Sequence, residues 1–588
     1  MCFDEGLAFP MNLMEALEII KRPIAEDSPT LAISLACGFT PLHLQTFLRA
    51  QLRLRFPDRE IKIDTGLFGD LLGNLERLRW EQTDAVAVII EWSDIDSRLG
   101  IRNLGGWRPA DLTDVLQMAE RRLQRLFNAI QNLSQTLPCI CSLPTQPFPP
   151  LFTPVTYQSG EVEMRLRELA SHLGASLAQL PRVRLVSSQA LDEISPLRDR
   201  FDIRAEVMSG FPYKLPHAAS LAELLARLIH NPLPKKGLIT DLDDTLWSGI
   251  LGEVGVENIC WDLESHALAN GLYQQFLASL ASAGVLIGVA SKNDQEIVER
   301  AFERTDLHLP RNCIFPLECN WSRKSESVQR ILRAWNISAD AVVFVDDSPM
   351  EADEVQSAFP AMDCRIFPKN DAPGLWMLLR ELRDSFGKSF LAEEDAFRLD
   401  SIRASAVLQQ SAALSGTSQD DFLRDAEAVI VFDCGRSADA RALELINKTN
   451  QFNLNGRRIS ESEWVRRMSK EDSFLLTVQY EDKYGRLGKI AALAGKLEQQ
   501  QIRVDYWVMS CRAFSRRIEH QCLKYLFEKF EADKIVLDFQ ATERNRPLLE
   551  FFEQTKASPI GTPLELTKAA YLARIPTLFH HIENKTHE

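Results

Sequence analysis

Asp241 and Asp243 stand two residues apart in Asp241-Leu242-Asp243-Asp244-Thr245-Leu246-Trp247. Such a pair suits phosphoryl transfer: one carboxylate attacks phosphorus, the other handles a proton, and both help hold a hard cation. Further groups downstream fit the same chemistry. Ser291, in Ser291-Lys292-Asn293-Asp294, offers a hydroxyl and a backbone N–H to a phosphate oxygen, just before a helix pattern that opens at Gln295. Lys324 opens another helix pattern and offers a cation for phosphate charge and for orienting a nucleophilic carboxylate. Asp346 and Asp347, before Ser348-Pro349, complete an oxygen-rich set of the kind Mg2+ favours. Each piece alone has an ordinary reading as a solvated turn, a helix cap or a surface group. Their occurrence together, in this order, carries the inference.

The elements that must position these groups are three apolar runs, Gly237–Thr240, 284–290 and 341–345, each read as a buried strand ending in one motif. Open α/β sheets bind ligands beyond the carboxyl ends of their strands. Strand alternation starts Asp241 and Asp243 on one face before the chain turns away. About 40 residues separate the Asp241 loop from Ser291, and about 33 separate Ser291 from Lys324, too few for a large inserted cap domain. A site without a lid suits a large substrate, or cover from neighbouring domains.

The four-motif set resembles the haloacid dehalogenase (HAD) superfamily of aspartate-nucleophile phosphotransferases. That resemblance implies Asp241 as nucleophile, Asp243 as general acid/base and Lys324 as the group stabilising a phospho-aspartate. It implies phosphate binding by Ser291, Lys292, Asn293 and Lys324. Mg2+ would be held by Asp241, Asp346, Asp347 and the carbonyl of Asp243. Wider stretches narrow the likeness: Trp247-Ser248-Gly249-Ile250-Leu251-Gly252-Glu253, Gly210-Phe211-Pro212-Tyr213, Ile446-Asn447-Lys448-Thr449-Asn450-Gln451-Phe452-Asn453 and Met509-Ser510-Cys511-Arg512. With these, residues from about 30 to 540 resemble the FkbH-like, HAD-IIIC-type subfamily. Membership would imply a bifunctional glyceryltransferase/phosphatase. Such enzymes take the phosphoglyceryl group of 1,3-bisphosphoglycerate, remove its phosphate and load glyceryl as a thioester on the phosphopantetheine form of an acyl carrier protein, for polyketide or related natural-product biosynthesis. A plain Mg2+-dependent phosphatase for sugar or other small phosphates, and a non-enzymatic scaffold that binds a carrier protein, are the alternatives.

The flanks complete an expected α/β chain of three domains: an SGNH-hydrolase-like domain over 1–234, a capless HAD parallel sheet over 235–385 and a GNAT-like acyltransferase domain over 386–588. A working SGNH hydrolase needs a serine after its first strand. This chain has Ala36-Cys37-Gly38, so the domain reads as a docking or structural unit and Cys37 as a buried thiol. Glu91-Trp92-Ser93-Asp94-Ile95-Asp96 reads as loop capping. In the C-terminal part Cys511, beside Arg512, Arg516 and Arg517, has two readings: a thiolate that carries an acyl group, or a small core residue beside a basic turn. The turn after that strand lacks the glycines of a pyrophosphate cradle, although its arginines can meet a phosphopantetheine phosphate. The amide-rich segment 447–453 can bind a polar acyl group or simply end a helix, and His520 reads as structural.

Composition bounds the partners. Across 588 residues, 67 Lys+Arg against 82 Asp+Glu leave a net charge of −15, which argues against non-specific nucleic-acid binding. No apolar run approaches about 18 residues, so no membrane-spanning helix is expected. The start, with Asp4 and Glu5, lacks a basic-then-apolar signal pattern, which gives a cytoplasmic expectation. Eleven cysteines in so long a chain do not make a disulfide framework.

Overall fold

The computed structural model describes residues 10–101, 111–146, 158–369, 371–388, 395, 398–403, 419–483, 485–510, 513–514, 516–542, 545–555 and 564–585. The chain forms two compact units, Met1–Pro232 with Ile459–Arg467, and Leu233–Arg458 with Met468–Glu588. The expected α/β class is borne out, with two parallel sheets and a third, mixed one.

In the first unit, β1 (Thr30–Ala36), β2 (Glu60–Thr65), β3 (Ala85–Ile89), β4 (Cys139–Ser142) and β5 (Val183–Leu185) form a parallel sheet of order β2-β1-β3-β4-β5. Every residue of β3 is buried, as a strand covered on both faces must be. Ala85, Ala87 and Ile89 enter one apolar core, whereas Val86 and Val88 enter the core on the other face. The helix Glu461–Met468, distant in sequence, fastens to this unit through Asp84, which accepts from Ser462 Oγ at 3.2 Å and from Arg466 at 3.0 Å.

The second unit opens with β6 (Gly237–Thr240), β7 (Leu286–Ser291), β8 (Ile314–Cys319), β9 (Val342–Asp346) and β10 (Asp363–Ile366), all parallel, in the order β10-β9-β6-β7-β8. The chain proceeds from β6 outward on one side, then returns to β9 on the other. The order therefore reverses between β6 and β9, the topological switch point where such sheets form a crevice. The intervals between Asp241, Ser291 and Lys324 hold only short helices, Leu268–Ser282 and β8, with no inserted domain. The helix Lys324–Trp335 lies close against this sheet. A Cβ on Gly237 or Gly288 would meet the Trp335 ring at 2.5 or 2.8 Å, so both positions need a bare backbone.

A mixed sheet follows: β11 (Val429–Gly435), β12 (Ser473–Asp482), β13 (Gly485–Glu498), β14 (Gln501–Met509), β15 (Lys534–Leu537), β16 (Leu564–Thr567) and β17 (His581–Asn584), ordered β16-β15-β14-β13-β12-β11-β17. β12 and β13 pair antiparallel over most of their length. β14 and β15 run parallel, joined through the helix Ile518–Lys529. Trp507, Phe452, Phe551 and Phe552 interlock in the core of this part.

Candidate active site

Asp241 follows the last residue of β6, and its backbone N–H donates to the Val345 carbonyl of β9 at 3.0 Å. Asp346 ends β9, Ser291 ends β7, and Lys324 is the first residue of its helix. The switch-point crevice thus gathers the three motifs that the sequence set at strand ends and the lysine that it set at a helix start. Lys324 Nζ lies 2.7 Å from Asp241 Oδ1, 2.7 Å from Asp346 Oδ2 and 2.9 Å from Glu351 Oε2. The lysine side chain is only 2% exposed. Burial alone would favour its neutral form, but the three carboxylates reverse this and hold it protonated. Burial pushes the Asp241 carboxyl above the ordinary carboxylate range, against the pull of Lys324, and the charge of Asp346 adds to the push.

Asp243 is held apart from this cluster. Its Oδ1 accepts from the Trp247 indole at 3.0 Å and from the Leu251 N–H at 3.2 Å, while Oδ2 accepts from the Asn293 amide at 3.0 Å. Asn293 also donates to Ser291 Oγ at 3.1 Å, which ties the second motif to the first. Lys292 turns to Glu351 at 2.7 Å. The loop itself is pinned from behind, where Asn270 and Gln274 of the helix Leu268–Ser282 donate to the Thr245 and Leu246 carbonyls, each at 2.9 Å.

Carboxylate oxygens of Asp241, Asp346 and Asp347 lie within 4.8 Å of one another. This all-oxygen, acid-rich donor set fits a hard divalent cation. Oδ1 of Asp241 is buried and, its ion pair with Lys324 aside, accepts no hydrogen bond among the described residues. Asp347 also accepts from Thr245 Oγ1 at 3.3 Å and pairs with Lys369, which reaches Asp244 at 2.9 Å.

Glu351 and Lys369 escaped the sequence reading. Ser348-Pro349-Met350-Glu351 has the Ser-x-x-Glu pattern of a capping box, and Ser348 does cap the helix Pro349–Ala358. The Glu351 carboxylate, however, serves Lys324 and Lys292. Lys369 lies beyond β10 in a stretch with no distinguishing pattern.

The other residues singled out from sequence fall elsewhere. Cys37 is buried and its thiol donates to the Phe39 carbonyl at 3.2 Å; burial, then Asp94, push its pKa far above the usual thiol range. A Cβ on Gly38 would sit 1.7 Å from Asp94 Oδ1, so that carboxylate packs directly against the bare Gly38 backbone. Glu91 caps its helix, as expected of that stretch, but is also the centre of a buried network. It accepts from Thr145 Oγ1 and the Tyr213 hydroxyl, each at 2.6 Å, and Thr145 in turn meets His217 Nε2 at 3.2 Å. Cys511 and Arg512 lie outside the described residues. Arg516 pairs with Asp482 at 3.4 Å and Arg517 with Asp420 at 2.6 Å, so both arginines serve internal pairs. His520 is buried against Phe551 and Tyr571, and burial pulls its pKa down to about 4. Asn453 is buried and satisfied by backbone groups, whereas Lys448, Thr449, Asn450 and Gln451 line a cavity.

No family model matches this chain, and no curated protein matches it. Among solved structures, the N-terminal part of the protein BF1531 from Bacteroides fragilis, containing a phosphatase domain and complexed with Mg, aligns with 65% of this chain and 100% of its own. It does so at a TM-score of 0.50 and 18% identity, a likeness of fold. The UDP complex of MnaA from S. aureus aligns over 66% of this chain and 99% of its own, but its TM-score of 0.16 at 11% identity carries no argument.

Proposed function

We propose that the second unit carries a Mg2+-dependent, aspartate-nucleophile phosphatase site, and that it serves as a glyceryltransferase/phosphatase feeding an acyl carrier protein. The observation that supports this most is the pairing of one buried carboxylate, Asp241, locked to Lys324, with a second, Asp243, held apart by the Trp247 indole and Asn293. One is oriented as a nucleophile and the other is free of the lysine. The phosphatase domain of B. fragilis BF1531, complexed with Mg, adds support through its shared fold.

Asp241, Asp346 and Asp347 would hold the cation, which supplies charge neutralisation at the phosphate and lets an anionic carboxylate approach it. An oxygen of Asp241 attacks phosphorus, and the phosphorus–oxygen bond to the substrate breaks. Asp243 gives its proton to the departing oxygen. Asp243 then takes a proton from water, whose oxygen attacks the aspartyl phosphate; inorganic phosphate leaves and Asp241 is regenerated. Lys324 and the Ser291 hydroxyl bind the phosphoryl oxygens.

In the fuller reading, a thiolate attacks the carbonyl of 1,3-bisphosphoglycerate and expels inorganic phosphate, and the second phosphate is removed at Asp241. A carrier-bound substrate suits the uncapped site, with Trp321 and Met350 exposed in the segments adjoining Lys324 and Asp347. The test is intact-mass measurement of holo carrier proteins incubated with enzyme, Mg2+ and 1,3-bisphosphoglycerate. A dephosphorylated glyceryl thioester is expected, and its phosphorylated form with Asp241→Asn. No added mass on any cognate carrier would overturn the transferase reading, and undiminished phosphate release by Asp241→Asn would overturn the phosphatase one.

A further inference from the structure

A cavity of about 140 Å3 opens at the other end of the phosphoryl sheet. Lys236 precedes β6, Leu286 begins β7, and Ile337 and Ser338 lead toward β9, so these lining residues mark the amino ends of the strands. Asp241, Ser291 and Asp346 mark the carboxyl ends. The helix Lys324–Trp335 makes the same point along its length of about 18 Å, with Lys324 in the cage and Trp335 in the cavity wall. The cavity is therefore separate from the candidate active site. Its remaining wall comes from the helix Ala440–Lys448, the 449–451 segment, Met509 and Ser510.

Among the described lining residues, Lys236, Arg398, Arg441 and Lys448 stand against one carboxylate, Glu444. Both Arg441 and Lys448 bind Glu444 at 2.5 Å; burial opposes its charge, yet the two cations hold it at about 2. Arg398 shares Asp395 with Lys388, which lie 2.6 and 2.7 Å from it. With that second layer the described residues supply five cations and two carboxylates, on side chains that are mostly buried. Cations held in a partly buried wall are a favourable setting for an anion that enters the cavity. Arg441 Nε is buried and makes no hydrogen bond among the described residues. Beside the cations, Asn336 accepts from Gln451 at 3.2 Å, and Asn450 and Thr449 add further polar groups. Trp335, Ile402 and Met509 supply an apolar wall.

We propose that this cavity is a second ligand site, for a small organic oxyanion whose short chain carries hydroxyl or amide groups. The cations take the carboxylate or phosphate, the amide side chains take the polar substituents, and the apolar wall takes the carbon chain. The assignment goes beyond the phosphatase reading and stands or falls independently of it, because none of these residues belongs to the Asp241 cage.

Isothermal titration of the full-length protein without Mg2+ tests it, with D-glycerate and inorganic phosphate as the anions and glycerol as the neutral control. One-to-one binding of an anion in the millimolar range or tighter is expected. Arg441→Met should weaken it by about tenfold or more. Because Arg441 also pairs with Glu444, Asn450→Ala serves as a second variant; it removes the amide, which also accepts from Arg458, spares the pairs of Glu444 and should weaken binding several-fold. Ser291→Ala, in the other site, should leave it within about twofold. The proposal is overturned if neither anion binds, if glycerol binds as well as glycerate, if both cavity variants bind normally, or if Ser291→Ala abolishes the signal.

Discussion

The indole Nε1 of Trp247 donates to Oδ1 of Asp243 at 3.0 Å. Trp247 is wholly buried, packed edge-on against Phe302, so the donor is fixed by the core rather than by the loop. The bond spans four residues of a tight turn that also includes Asp244 at φ 52°. The turn thereby carries Asp243 away from Lys324 while Asp241, two residues earlier, stays bonded to it. Two carboxylates on one short loop thus acquire different surroundings, the condition for different roles in one reaction.

Removing the second carboxylate separates those roles. Asp243→Asn should lower phosphate release by about 10^2–10^4-fold. A readily expelled leaving group should still allow Asp241 to be phosphorylated, so intact-mass spectrometry after a rapid quench should find the protein heavier by one phosphoryl group. Trp247→Phe should slow turnover more mildly, by about tenfold, because a hydrogen bond to a charged group contributes on the order of 1.5–3 kcal/mol and only part of that is specific to the transition state. An Asp243→Asn enzyme with undiminished turnover would remove the acid/base role.

Among the described pairs, Lys324 is the lysine that contacts both Asp241 and Asp346, and it shares Glu351 with Lys292. Lys324→Met leaves those buried carboxylates facing one another. Breaking a buried pair from one side costs about 3–5 kcal/mol. Urea unfolding without metal should therefore show a loss of that order, and Mg2+ should restore part of it by neutralising the same oxygens. Equal stability of variant and parent without metal would mean that the cluster is far less charged than its geometry implies.

Much of this site was legible because its parts are local in sequence. An apolar run followed by an acid, a serine or a helix-opening lysine is a short-range pattern, and parallel strands bring such ends together without further instruction. Glu351 was hidden by a pattern that has a sufficient local explanation in the cap by Ser348. The network of Glu91 with Thr145 and Tyr213 joins residues 54 and 122 positions apart, so no spacing could announce it. The cavity likewise draws Lys236, Arg398 and Arg441 from segments in which each is unremarkable, and joins them to Lys448. The sequence marked 447–453 as amide-rich but could not divide it into Asn453, which holds the fold, and Asn450 and Gln451, which face the cavity.

Lys369 would compete with a cation held by Asp347. It pairs with Asp347 and lies 2.9 Å from Asp244, with a side chain 42% exposed. Exposed pairs are worth at most about 1 kcal/mol, so its removal should tighten metal binding by no more than about fivefold. Titration calorimetry of Lys369→Met with Mg2+ should show a modestly lower Kd. A weaker Kd would mean that Lys369 organises Asp347 for the metal instead of displacing it.

The Glu91 network makes stability depend on pH. Burial raises the Glu91 carboxyl from 4.5 to about 7, outweighing the donors from Thr145, Tyr213 and Gln146. The folded protein then keeps a proton that the unfolded chain releases between those values, so this group's contribution is full below pH 4.5 and is lost as pH rises toward 7. His217 runs the other way: burial lowers it from 6.5 to about 3, so its contribution is full above 6.5 and is lost as pH falls. Comparing the parent with Glu91→Gln cancels the shared groups that do not feel Glu91; Asp94, which burial and then the Glu91 charge push up, changes in the same direction as Glu91. Relative to the variant, the parent should lose stability on the order of 3 kcal/mol between pH 4.5 and 7, read from urea midpoints of the first unit followed by Trp fluorescence. The opposite slope would show that the four donors to Glu91 outweigh its burial and keep it ionised.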